Sequence, residues 1–266
     1  MISKIKYALI VLAITLYSCD SSETADKEGE PLEAKFSVEI EGEAPNAVLN
    51  LTNESTGASS YEWSFSEGSS DSTSIEEIPN GITVDKAGDF TITLKAVSGT
   101  EESSSEETIT IEGNSAILEI KDLEFSQEEG SSELGRFYSI SENEMYLDTE
   151  IDEENGPNID LFYKGSNSPF IFFEGPKDNF DDIVVPNAKE TKVHNYENGF
   201  EVASFDEMED DAVLDDLTVI NDDNAIGTLD FPAIVTFETE EGKKGAIKLK
   251  AINSTRVLVD IKVQKY

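Results

Sequence analysis

Short runs in which apolar and polar residues alternate, broken every few residues by turn formers, limit this chain more than any other feature of its sequence. Val257, Val259, Ile261 and Val263 alternate with Asp260 and Lys262, and Ile247, Leu249 and Ala251 alternate with Lys248 and Lys250. Asn253-Ser-Thr255 between the two runs reads as a hairpin turn. A period of two puts each apolar set on one face of a strand, so such runs bury one side and wet the other. The same pattern recurs at Phe36, Val38 and Ile40, at Val48, Leu49 and Leu51, at Tyr61, Trp63 and Phe65, and at Phe90, Ile92 and Leu94. The expectation is a mainly β protein with antiparallel sheets packed as sandwiches.

The first nineteen residues read differently. Lys4 and Lys6 precede the apolar run from Tyr7 to Leu16, which is shorter than the roughly 20 residues a spanning helix needs. This is the layout of an export signal. Leu16-Tyr17-Ser18-Cys19 resembles a lipobox, in which a signal peptidase cuts before the cysteine and its thiol is acylated. The resemblance implies a signal peptide over residues 1–18, a lipid on Cys19 and membrane attachment through that anchor; several acyl chains together hold a protein stably. Residues 19–33 are polar and acidic, the composition of a flexible tether. Asp20 after the cysteine resembles an inner-membrane retention signal of one bacterial lineage, whereas the acidic run that follows resembles a surface-export signal of Bacteroidetes-like lineages, which implies an exposed outer-membrane lipoprotein. Cys19 is the only cysteine, so no disulfide forms within the mature chain.

Of 266 residues, 57 are Asp or Glu and 19 are Lys or Arg, a net charge of -38. That charge opposes phosphate backbones and excludes nucleic acid as a partner. Beyond the tether the chain divides into residues 34–112 and 116–266, with Gly113-Asn-Ser115 as a short hinge.

Within the first part, Ala58-Ser-Ser-Tyr-Glu-Trp-Ser-Phe-Ser-Glu-Gly68 and Ala87-Gly-Asp-Phe-Thr-Ile-Thr-Leu-Lys-Ala96 resemble a PKD domain, whose marks are Y-x-W-D-F-G-D-G and A-G-x-Y-x-V-x-L. Tyr61, Trp63, Phe65 and Gly68 match, as do Ala87, Gly88, Phe90, Ile92 and Leu94; Ser64, Ser66 and Glu67 depart from the pattern. The resemblance implies an immunoglobulin-like sandwich that serves as a spacer or interaction module on extracellular proteins. Trp63, the only tryptophan, is expected in the core rather than on a sugar.

In the second part, strands are expected at Ile117-Leu-Glu-Ile120, Arg136-Phe-Tyr-Ser-Ile140, Ile159-Asp-Leu-Phe-Tyr163, Phe170-Ile-Phe-Phe173 and over 233–239, 246–252 and 257–263. Residues 100–105 read as a hairpin loop. One helix is expected over 205–217, with Ser204 and Glu207 as a capping box. The second domain is therefore β-rich and sandwich-like with one short helix. Residues 237–249 and 259–263 weakly resemble the closing hairpin of Bacteroidetes lipoproteins that accompany glycan uptake.

Few residues point to chemistry. His194 is the only histidine, which excludes multi-histidine zinc sites, and no G-x-S-x-G elbow exists. The expectation is no enzyme, although paired carboxylates of a glycoside hydrolase are compatible with so acidic a chain. Asp178-Asn-Phe-Asp-Asp182, residues 206–216 and Asn221-Asp-Asp-Asn224 offer oxygen ligands for calcium, without EF-hand spacing. Seven of the 19 basic residues fall within 243–266. Lys243, Lys244, Lys248 and Lys250 are candidates for binding an anionic polysaccharide, or else dock against the acidic remainder. The functional expectation is a non-enzymatic surface lipoprotein whose C-terminal domain binds a glycan or another envelope protein. The alternative is a structural or adhesive envelope protein.

Overall fold

The computed structural model describes residues 30–165, 170–178, 183–222, 224–226 and 231–266. The export segment, Cys19 and most of the tether lie outside them. The protein is mainly β. Strands β1 (Phe36–Glu41), β2 (Ala47–Asn53), β3 (Ser60–Phe65), β4 (Thr73–Ser74), β5 (Ile82–Val84), β6 (Gly88–Ser98) and β7 (Glu101–Ile111) come first. Next are β8 (Ile117–Ser126), β9 (Phe137–Ser139), β10 (Glu144–Tyr146), β11 (Leu161–Lys164), β12 (Phe172–Glu174) and β13 (Lys192–His194). Helices α1 (Val202–Glu207) and α2 (Ala212–Asp215) precede β14 (Ala233–Glu238), β15 (Lys244–Ile252) and β16 (Arg256–Gln264).

The strands form four sheets, ordered β1-β2-β5, β4-β3-β6-β7, β10-β9-β11-β12 and β13-β14-β15-β16-β8. The first two face each other over one apolar core. Phe36, Leu49, Leu51, Ile82 and Val84 from one sheet meet Trp63, Phe65, Phe90, Ile92, Leu94 and Ala96 from the other. Trp63 is 1% exposed, packs edge-on against Phe36 at 5.3 Å and donates its indole N–H to the Glu76 carbonyl at 3.0 Å. It is core. Contacts to this sandwich begin before residue 34: Glu33 pairs with Thr56, and Thr56 Oγ1 donates to the Pro31 carbonyl at 2.8 Å.

Residues 101–105, expected as loop, belong to β7. Ser98 pairs with Glu101 across the two-residue turn Gly99-Thr100, and Gly99 at φ 62 takes the positive angle such a turn requires. Ser103 then points inward, where its hydroxyl accepts the Ala34 N–H at 3.0 Å.

The other two sheets enclose a larger core. Tyr138, Leu161, Tyr163 and Phe173 meet Ile120, Phe125, Val235, Phe237, Ile247, Leu249, Val257, Val259, Ile261 and Val263. The four-stranded sheet is also covered behind, by Ile159 and Val185 against Phe137 and Phe162. The five-stranded sheet carries α1 on its far face, with Phe205 over Ile234 and Ala246.

The single expected helix is two. Ser204 lies inside α1, which starts after Glu201 without a side-chain cap, and the chain turns extended at Met208 with φ -68 and ψ 117. Tertiary bonding outcompetes helix continuation here: Lys262 Nζ donates to the carbonyls of Phe205 at 2.9 Å and Met208 at 2.8 Å.

Replacing Trp63 by Ala should destabilise the protein by about 3–5 kcal/mol, the usual cost of deleting a buried large aromatic ring. Urea unfolding followed by circular dichroism measures it; a loss below about 1 kcal/mol would contradict a core role.

Candidate functional site

The basic residues singled out from the sequence project from the face of the five-stranded sheet that carries the helices, or from its β14–β15 turn. Each meets protein oxygen. Lys243 Nζ donates to the Lys265 carbonyl at 2.7 Å and Lys244 Nζ to the Asp215 carbonyl at 2.6 Å. Lys248 pairs with Asp206, and Lys250 bridges Asp122 at 2.5 Å and Asp260 at 2.6 Å. Lys262, with its side chain 8% exposed, holds the end of α1 and lies 5.2 Å from the Phe205 ring. Sequence reasoning missed this anchoring role, because nothing local marks a lysine as buried.

Asp260 organises two irregularities at once. The register of β15 against β16 shifts between Leu249 and Ala251, and that of β16 against β8 shifts between Val259 and Ile261. The extra residues are Lys250 on one side and the Lys121–Asp122 pair on the other, with Asp122 at φ 55. Asp260 Oδ1 accepts from both bulged residues, from Lys250 Nζ and from the Asp122 backbone N–H at 2.8 Å. Bulges next to an edge strand bend it and re-aim its side chains.

β8 is the edge of its sheet, paired with β16 on one side. Its outer side borders an open groove of about 620 Å³ lined by β8 from Leu118 to Glu124 and by Leu134, Asn143 and Met145. Leu118 is 37% exposed in it. The floor is apolar, through Leu123, Leu134 and Met145. The rim carboxylates are paired, Glu119 with Lys121, Asp122 with Lys250 and Glu124 with Arg256. A second opening, about 570 Å³, lies between residues 42–46 and Glu209-Asp210.

His194 sits on β13 with Nε2 3.8 Å from Asp222, and its Nδ1 is buried without a partner. Among the described residues neither His194 Nδ1 nor the hydroxyl of Thr236, its cross-strand neighbour, has a hydrogen-bond partner, so no triad of bonds is formed there. Asn221 and Asp222 serve structure instead: Asn221 Oδ1 accepts the Val193 N–H at 2.9 Å and Asp222 Oδ1 the Asn195 N–H at 3.2 Å. Residues 179–182 and Asp223 of the expected calcium loops lie outside the described residues. Among the described residues no cluster of three or more His, Cys, Asp or Glu side chains is placed to hold a metal ion. Tyr138 and Tyr163 are core, Tyr146 is half-buried and Tyr196 is exposed. Burial pushes the Tyr138 hydroxyl up to about 12.

Two charged pairs lie deep in the second core region. Arg136 grips Asp148 through Nε and Nη2, at 3.0 and 2.6 Å, and stacks 5.1 Å from the Phe162 ring. Asp160 accepts the Ile140 N–H at 2.7 Å and faces Lys189 Nζ at 3.1 Å, with Glu241 on the other side of that ammonium at 2.8 Å. Burial pushes the Asp160 carboxyl above its ordinary range, against the pull of the Ile140 N–H and Lys189. Burial works against the Lys189 charge, but Glu241 and Asp160 outweigh it and raise its pKa. The Arg136–Asp148 pair is enclosed, whereas the Asp160–Lys189 pair reaches the surface through Glu241.

No protein-family model matches the chain, and no curated protein matches it. Among solved structures, a DUF4466 family protein from Parabacteroides merdae is similar, at 12% identity and a TM-score of 0.40, over 89% of this chain and 100% of that one. Among the described residues no helix is long and apolar enough to cross a membrane.

Lys262→Met strips an ammonium from two carbonyls and should cost about 2 kcal/mol in urea unfolding. Lys121→Gln, at an exposed pair, should leave stability nearly unchanged. For Asp160, a folded-state pKa raised above the unfolded value means the native state binds the extra proton. Its contribution therefore worsens as pH rises through and above its ordinary value of 3.8. The stability of Asp160→Asn relative to the wild type should accordingly rise from about pH 4 to about pH 7, read as the difference between two urea midpoint series.

Proposed function

We propose that this chain is a non-enzymatic, lipid-anchored envelope protein, exposed at the outer membrane surface. In this reading Cys19 carries the acyl chains, and the polar stretch after it, up to where Pro31 and Glu33 bond to the sandwich, gives reach. The PKD-like sandwich then lifts the second β region toward a glycan or a partner protein. The export segment ending in Leu16-Tyr17-Ser18-Cys19 carries the anchoring half of the reading. The groove along β8 carries the binding half, as an open apolar-floored surface beside a sheet edge.

The lysine contacts refine the ligand. An anionic polysaccharide would have to displace Asp206, Asp122 and Asp260 from Lys248 and Lys250. The paired rim of the groove favours a neutral glycan or a protein segment instead. One feature favours the alternative of a structural or adhesive envelope protein: among the described residues no aromatic side chain lines the groove for a sugar ring to stack on.

The anchor and the groove are tested separately. Cys19→Ser should move the protein from the membrane fraction to the soluble fraction, and unchanged membrane partition would overturn the lipid reading. The full chain in detergent should bind a member of a panel of neutral and anionic polysaccharides, with and without calcium. Leu118→Arg should abolish that binding. Failure to bind any of the panel would leave a protein partner or the envelope-structural role as the account.

A further inference from the structure

The two sheet pairs touch through very little. Among the described residues no strand of the first sandwich pairs with a strand of the second region, and no apolar cluster includes buried residues from both. Relative motion is the default for units joined in this way. Yet the linker between β7 and β8 is bonded on both sides. Gly113, at φ 102, lies so close to the Ala44 carbonyl that a Cβ has no room, and Ala44 N–H donates to the Glu112 carbonyl at 2.8 Å. Ser115 and Asp211 exchange two bonds, at 2.7 and 3.0 Å.

We propose that Asp85, Lys265 and Tyr266 form a clasp that fixes the orientation of the second β region on the first sandwich. Asp85 comes just after β5, in the first sandwich; Lys265 and Tyr266 come just after β16, in the second region. The Asp85 carboxylate takes Lys265 Nζ at 2.7 Å on one oxygen and the Tyr266 hydroxyl on the other. Its backbone carbonyl accepts the Ala116 N–H at 2.8 Å, and the Lys265 N–H reaches back to the Ala116 carbonyl at 3.4 Å. The Tyr266 ring has two ammonium groups within reach, Lys86 Nζ 5.0 Å and Lys265 Nζ 5.1 Å from its centroid. One aspartate thus joins the first sandwich, the linker and the exit of β16.

The side chains of Lys265 and Asp85 are 45% and 31% exposed, so the ion pair by itself contributes little to stability. Orientation is another matter. Where no apolar interface holds two bodies, a few directional bonds set the angle between them, and a carboxylate shared by an ammonium and a phenol, beside a ring with two cations near it, supplies several. The clasp acts whether or not Cys19 is acylated.

The test is a spin-label distance measurement on the full chain in detergent. Cys19→Ser removes the native thiol, and Ser60→Cys on β3 and Ala251→Cys on β15 place the labels on exposed strand positions. A narrow distance distribution is expected for this protein. Adding Asp85→Ala with Tyr266→Phe should broaden it roughly twofold, as expected of units released from a small interface. Lys95→Gln, which breaks an ion pair within the first sandwich, should leave the width unchanged. Circular dichroism confirms that each variant keeps its sheets. A distribution already broad without the clasp substitutions, or one equally narrow with them, would overturn the proposal.

Discussion

Phe125 holds the second region together. It lies near the end of β8, the edge strand of the five-stranded sheet, and its ring meets three rings of the opposing sheet. Tyr138, Tyr163 and Phe173 sit 6.1, 5.7 and 5.2 Å away, the last edge-on. Such pairs add about 0.5–1.5 kcal/mol each beyond the area they bury. With a single cysteine the chain has no crosslink to rely on, so this aromatic junction and the aliphatic stripe of β14, β15 and β16 supply the cohesion. Because Phe125 points inward, β8 is pinned by its inner face while its outer edge stays open to the groove.

The final hairpin was legible in the sequence because nothing interrupts its alternation until Lys250, and because Asn253 carries its own turn chemistry. Asn253 Oδ1 accepts the backbone N–H groups of Thr255 and Arg256 at 2.9 and 3.0 Å. β8 was legible only to Ile120. Its inward residues are Ile120, Leu123 and Phe125, and the step of three between the first two is the bulge at Lys121 and Asp122, which flips the parity that a period of two relies on. β11 was anticipated as a strand within Ile159–Tyr163, but not which way its side chains face. Leu161, Phe162 and Tyr163 are all buried because both faces of that sheet are covered, and a run buried on both faces shows no alternation.

The expected helix shows the limit of local signals from the other side. Ser204 and Glu207 have capping-box spacing and the apolar residues recur at helical steps, yet the segment breaks at Met208. The bond that breaks it comes from Lys262, more than fifty positions away in the chain. The lysine asymmetry was visible, with docking against the acidic remainder as one of its two readings; which carboxylates meet the cations, Asp206, Asp122 and Asp260, is revealed only by the fold. The groove had no sequence signal at all. It arises where an edge strand, re-aimed by a bulge, passes the β9–β10 hairpin that brings Asn143 and Met145 alongside.

These features converge on two strands. β8 is the first strand after the linker, and it pairs along its length with β16. β8 carries the groove; β16 carries Asp260, which fixes the bulge that shapes the groove, and leads directly into Lys265 and Tyr266. A clasp that sets the direction of β16 therefore sets the direction of the groove as well, through a ladder of backbone bonds. A groove tied to the clasp in this way turns with the first sandwich rather than on a hinge of its own.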